Sequence, residues 1–297
     1  MQLKFFRGAR PNFGDELNLW MWPRLLPEFL DDDPSVIFIG IGSVLGLPYD
    51  TAARKVVVGT GYVPQYHSIV PNLKGPDWDV AFVRGPRTAH ALGLDPKIAL
   101  GDAAILMNSF RLHERRNPHL VGFIPHFESM ERGNWSRVCD LAGITLIDPR
   151  NPVEHVMAQI LDCKVIVCEA MHGAIVADAF RVPWVPVLPI DGVHRYKWFD
   201  WADAIDVDLR QNRLWPSSMA ELQKTSANWP LIARLAASLD QQKKLFRNAE
   251  LIEYFAAKRL SAISKISPNL SADSTISRIV DSMLVKLKAL RRVYSKQ

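Results

Sequence analysis

The sequence predicts an α/β protein built on parallel sheets. Three observations carry that expectation. Short β-branched apolar runs recur up to Asp200, more uniformly apolar than one-sided strands would be. Segments of 3.6-residue periodicity lie between them. Glycines and polar residues follow several runs directly, as they do where a strand hands over to a helix.

The elements justify themselves in chain order. Asn12-Phe13-Gly14-Asp15-Glu16 precedes a helical pattern opening at Leu17-Asn18-Leu19-Trp20-Met21-Trp22. Gly14 supplies a turn, and Asp15 either caps the helix or accepts bonds from a ligand hydroxyl. Strands are expected at Val36–Gly40, Lys55–Gly59 and Val80–Val83. The first two run into glycine turns, Gly40-Ile41-Gly42-Ser43-Val44-Leu45-Gly46 and Gly59-Thr60-Gly61-Tyr62, where backbone can approach a ligand. The spacing is not the dinucleotide fingerprint, and no ribose-binding acid follows, so NAD is not expected. Arg84 and Arg87 sit at a helix start, where cations oppose the macrodipole, and an anion would explain them. Asp102 reads as the anchor of a turn.

The polar stretch Asn108–Pro118 marks a domain break. The expected units are residues 1–112, 113–225 and a helical basic tail, 226–297. In the second unit, strands are expected at Leu120–Ile124, Thr145–Ile147, Val165–Cys168 and Trp184–Leu188, with helices at Pro152–Leu161 and His172–Phe180. His126 follows the first of these strands and His172 opens the second helix. The run from His194 to Trp201 mixes cations and aromatics after the last strand. The tail carries an apolar stripe, Ile276, Ile279, Val280, Met283, Leu284, Leu287 and Leu290, with N-cap candidates in Asn269–Ser274. The stripe packs either on the body or on a second subunit, or it lies on a membrane.

Composition narrows the function classes. Of 297 residues, 48% are hydrophobic and 23% charged, an ordinary globular balance. Three cysteines without paired spacing argue against a disulfide framework or a zinc site, and no metal-ligand cluster is evident. The opening residues lack the apolar core of a leader, and no run is long enough to span a bilayer, so a cytoplasmic location is expected. From Lys243 onward twelve Lys/Arg face four Asp/Glu, which leaves the body slightly acidic against an overall +5. Nucleic acid is therefore not an expected partner, whereas the tail suits the anionic inner face of a membrane.

The ordered series NFGDELN, two glycine turns, FVRGPRTAHALGL, LGDAAILM and ILDCKVIVCEAMHGAIVADAFRVPWVPV spans roughly residues 8–200. It resembles the polysaccharide pyruvyl transferase family, most nearly its bacterial ketal-forming exopolysaccharide members. The resemblance implies two Rossmann-like domains facing a cleft, as in GT-B glycosyltransferases. It implies phosphoenolpyruvate as co-substrate, no cofactor, and a sugar acceptor, here expected on a lipid-linked oligosaccharide. Relatives often read Ser-Arg-x-His-Gly where this chain has Glu169-Ala170-Met171-His172-Gly173. The arginine position is Ala170, so another cation is needed.

The expected catalytic residues are His172, as acid/base or phosphate donor, and His126, as base or acceptor contact. Arg84, Arg87, Arg195 and Lys197 are the candidate donor cations. Gly173 would leave room beside the phosphate, with N–H groups of His172-Gly173-Ala174 around the anion. Glu169 would orient His172 or meet the acceptor. Asn12, Asp15 and Trp198 are the expected acceptor contacts, Trp198 by stacking, although its alternative is core packing. A nucleotide-sugar glycosyltransferase, which Glu169 favours, and a non-catalytic glycan-binding relative, which the missing arginine at Ala170 favours, are the rival readings.

Overall fold

The computed structural model of the chain describes residues 1–67, 69–110, 118–226 and 245–294. The first sheet is β1 (Gln2–Lys4), β2 (Val36–Ile39), β3 (Arg54–Val58) and β4 (Trp78–Phe82), parallel throughout and in sequential order. Helix α1 (Phe13–Leu25) follows β1, and α2 (Pro86–Ala91) follows β4. A 3₁₀ segment, Ala103–Ser109, leads out of this half.

The second half contains β5 (Leu120–Ile124), α3 (Phe127–Arg132), α4 (Trp135–Ala142), β6 (Thr145–Leu146), α5 (Val153–Leu161), β7 (Cys163–Cys168) and α6 (Met171–Ala179). Then come β8 (Trp184–Leu188), α7 (Tyr196–Ala204), β9 (Asn212–Arg213) and α8 (Met219–Ser226). The last described helices are α9 (Leu245–Ile263) and α10 (Asp273–Tyr294). All seven expected strands are present, and β1 and β9 are additions too short to leave a periodic signature.

The second sheet runs β6-β5-β7-β8-β9, again all parallel. The chain starts at β5, moves to β6 on one side, then crosses to β7 on the other. The strand order therefore reverses between β5 and β7. In open parallel sheets the connections diverge at such a switch point, leaving a crevice beyond the carboxyl ends of the strands. His126 lies just past the end of β5 and Glu169–His172 just past the end of β7.

One buried cluster crosses both sheets. It takes Phe13, Leu17, Met21 and Trp22 from α1, Ala103 to Met107 from the 3₁₀ segment, and Ala174, Ile175 and Val176 from α6. The tail stripe joins it: Ile276, Ile279, Val280, Met283, Leu287 and Leu290 of α10 are all buried there. A buried side chain of this kind contributes about 1.5–3 kcal/mol, so peeling the stripe away would cost on the order of ten kcal/mol. The stripe belongs to the body. Tyr294 secures the end of α10 by donating to Asp79 (3.0 Å) while accepting from Arg54 Nε (2.8 Å). Arg278, Lys286, Lys288, Arg291 and Arg292 stay exposed on the outside of the helix. Among the described residues no helix is long and apolar enough to cross a membrane.

Candidate active site

The carboxyl ends of the two sheets enclose a cavity of about 360 Å³, within the range of small-molecule sites. The first half contributes Asn12 and Asp15, the glycine turn after β2, Tyr66 and His67. The second contributes His126, Glu128, His172, His194 and Lys197.

His172 stands in the first turn of α6, with its ring against the backbone of α1. A Cβ on Gly14 would lie 1.8 Å from His172 Nδ1, so only glycine fits there. On the far edge of the ring, Nε2 lies 3.6 Å from Asp102 Oδ2. Neither atom has a hydrogen-bond partner, and both are buried. The other oxygen of Asp102 accepts from Ala104 N (3.0 Å) and caps the 3₁₀ segment. Asp102 is thus both the turn anchor that the sequence suggests and the carboxylate facing His172.

Asp15 accepts from Asn12 Nδ2 (2.8 Å), and burial raises its pKa despite the pull of that bond, His172 and Lys197. Lys197 is the sole Lys or Arg among the residues lining this cavity, and no acid lies within ion-pair distance of it among the described residues. Burial, aided by the nearby charge of Arg84, lowers its pKa to about 8. His126 stacks on His194 with ring centroids 4.2 Å apart. Burial, then the positive field of Lys197 and His194, pushes its pKa well below the ordinary histidine value. His194 shares a 2.6 Å hydrogen bond with Tyr66 through Nδ1 and a 3.2 Å contact with Glu128 through Nε2.

The chain was compared with known proteins. Residues 52–191 match the family described as polysaccharide pyruvyl transferase. The succinoglycan biosynthesis protein ExoV of Rhizobium meliloti (strain 1021) is 32% identical over 320 aligned residues, covering 99% of this chain and 100% of that protein. The chain belongs to the polysaccharide pyruvyl transferase family. It is a transferase of polysaccharide biosynthesis. No solved structure matches it.

Within this pyruvyl transferase the structure gathers five of the expected residues around the cavity: Asn12, Asp15, His126, His172 and Lys197. The others lie elsewhere, each for a physical reason. Arg84 is fully buried, and its Nε donates to Asp200 Oδ2 (2.9 Å) while Nη1 donates to Ser43 Oγ (2.6 Å). Thr88 adds two bonds to Asp200, from N (2.9 Å) and Oγ1 (2.6 Å). Arg87 donates to Asp203 (2.7 Å) and lies over Phe199. The RGPRT stretch therefore locks the first half onto α7 rather than presenting two cations to a donor.

Arg195 points at the carbonyl of Pro189 (3.3 Å). Trp198 is buried beside Trp184 and Trp201, so its ring is core and offers no face to a sugar. Gly173 is needed because a Cβ there would lie 2.6 Å from Ile124, a matter of packing α6 on β5. The Gly173 and Ala174 N–H groups already bond to Ala170 O, closing the first turn of the helix.

Glu169 is buried and does not touch His172. It accepts from His126 N (2.8 Å), Ser129 Oγ (2.9 Å) and Ile190 N (2.9 Å). One carboxylate thus staples the loops after β5, β7 and β8, and it positions His126 through its backbone. Sequence reasoning missed Tyr66, His67, Glu128 and His194 as cavity residues. His194 carried a signal, since it opens the cation–aromatic run. Tyr66 and Glu128 sit in ordinary polar context and become neighbours only through the fold.

Proposed function

We propose that this transferase takes its pyruvyl group from phosphoenolpyruvate and forms a cyclic ketal on a sugar of an exopolysaccharide repeat unit. The observation that carries the reading is Lys197. It is a cation in a compact cavity, among the described residues not ion-paired with Asp15 or Glu128, the acids that line the cavity with it, and set among histidines where two sheet ends meet. Such a cation suits an anionic donor, and it stands in for the arginine missing at Ala170. The facing sheets suit a GT-B-like arrangement with the donor on the β5–β7 side. The compact cavity favours this donor over a nucleotide sugar, which also needs a base pocket.

His172 acts as the acid/base. It delivers a proton to C3 of the enol ether, C2 becomes oxocarbenium-like, and a sugar hydroxyl bonds to C2. That hydroxyl returns its proton to His172, phosphate leaves with the C2–O electron pair and takes the proton of the second hydroxyl, and that hydroxyl closes the ketal at the same carbon. The change at C3 is balanced by the change at C2, so there is no net oxidation or reduction and no redox cofactor is required. Asp102 positions the His172 ring, while Asn12, Asp15 and the cavity-facing edge of His126 meet the acceptor hydroxyls. The acceptor is a lipid-linked oligosaccharide, and the exposed bases of α10 hold the enzyme against an anionic bilayer.

Titrating phosphoenolpyruvate into the protein and its Lys197→Met variant tests the donor assignment. Binding weakened by about 10–100-fold is expected, the worth of one charge-assisted bond. Equal binding by both proteins would remove Lys197 and the observation on which the reading rests.

A further inference from the structure

From the geometry of the cavity we infer a divalent metal site formed by His126, Glu128 and His194. The three residues come from the start of α3 and from the 3₁₀ turn after β8, yet one ligand atom from each lies within 4.8 Å of the others. His194 Nε2 is 3.2 Å and His126 Nδ1 3.9 Å from the same oxygen, Glu128 Oε2. Two nitrogens and one carboxylate oxygen on the same face of an ion, with positions left open, suit a first-row transition cation. Bond lengths of about 2.0–2.2 Å ask these atoms to close by only a fraction of their present spacing.

Two further observations point at a ligand. His126 Nδ1 is buried and has no hydrogen-bond partner, although the residue is more than nine-tenths buried at 6% exposure. An unpartnered imidazole nitrogen facing an acid is costly unless something joins them. Tyr66 OH, moreover, holds Nδ1 of His194, leaving Nε2 for the ion. That is the outer-shell bond that ligating histidines ordinarily make. The carboxylate is already fixed by Arg132 Nη1, 3.0 Å from Glu128 Oε2, and Glu169 fixes the His126 backbone.

The ion's role rests on the proposed donor. Phosphoenolpyruvate has two anionic groups, and among the described residues Lys197 is the one Lys or Arg lining the cavity. The ion is the second cation, with its open positions toward the donor oxygens. His126 keeps Nε2 for the acceptor, and His172 remains the acid/base. This revises the expectation, drawn from sequence spacing, that the site takes no metal.

The test uses the full chain after chelation and gel filtration. Cobalt(II) alone is titrated and followed by its visible ligand-field bands. One equivalent should bind, and His194→Ala and Glu128→Gln should each abolish the bands. Tyr66→Phe should weaken binding by about 10–100-fold, as loss of an outer-shell bond does. No bands, or bands unchanged in His194→Ala, would overturn the site. Zinc(II) and chelated protein are then compared for phosphoenolpyruvate binding. Stronger binding to the loaded protein is expected. Equal binding by both would refute the ion's role and leave the donor intact. Metal bound without any donor binding would instead sink the donor reading while the site stands.

Discussion

Replacing Arg84 by methionine separates a structural arginine from a donor-binding one. The side chain is fully buried, and its Nε bond to Asp200 crosses between the two halves. Methionine fills similar space but leaves the Asp200 carboxylate buried with, among the described residues, only Thr88 as side-chain or backbone donor, through N and Oγ1. Ser43 loses its guanidinium partner as well. Removing one member of a buried pair costs about 3–5 kcal/mol, and the two surviving Thr88 bonds place this case near the lower end. With a urea m-value of about 2–3 kcal/mol/M, the midpoint should fall by about 1–2 M. Equilibrium urea unfolding measures it directly. In native conditions, well below the transition, the folded fraction should retain donor KM within about threefold, because Arg84 does not line the cavity. An unchanged midpoint with a KM raised tenfold or more would refute the reasoning and return Arg84 to the donor site.

Other expectations follow from the same geometry. His172→Ala should cut turnover by about 10²–10⁴-fold with little change in stability; near-normal turnover would remove its assigned role. Gly14→Ala places a methyl 1.8 Å from His172 Nδ1, so it should lose turnover sharply while far-UV circular dichroism stays native; full activity would show that the ring is not confined there. Donor KM should rise as pH passes about 8, where Lys197 gives up its charge, and Lys197→Met should erase that limb of the profile. The sign for stability is opposite: the folded pKa lies below the unfolded one, so the burial penalty is full below about pH 8 and is relieved as pH rises toward the ordinary lysine value. A truncation after Ala272 should remove α10, expose the body side chains that its stripe covers and give insoluble protein; a soluble, cooperatively folded product would show that the stripe is not core.

The fold was legible because parallel strands buried on both faces read as short apolar runs, which located seven of the nine strands. His126 and His172 were legible for a related reason: each follows a strand end, and strand ends at a switch point face the crevice. The charged motifs misled. An arginine at a helix start reads the same whether its counter-charge is a ligand or a distant Asp, and Asp200 lies 116 residues from Arg84. Glu169 misled in the same way, since two of its three partners are backbone N–H groups that leave no mark in sequence and the third, Ser129, lies 40 residues away. The His126–Glu128–His194 cluster has no compact spacing, because His194 arrives from the loop beyond β8. Only the strand order puts it beside His126.

Pyruvyl transfer is read most plainly by incubating the enzyme with phosphoenolpyruvate and a panel of lipid-linked or aryl glycosides, with released phosphate and product mass measured together. One phosphate per product and an acceptor heavier by one pyruvic acid less one water are expected. Phosphate without that gain in mass, or transfer of a sugar from a nucleotide donor under the same conditions, would contradict pyruvyl transfer.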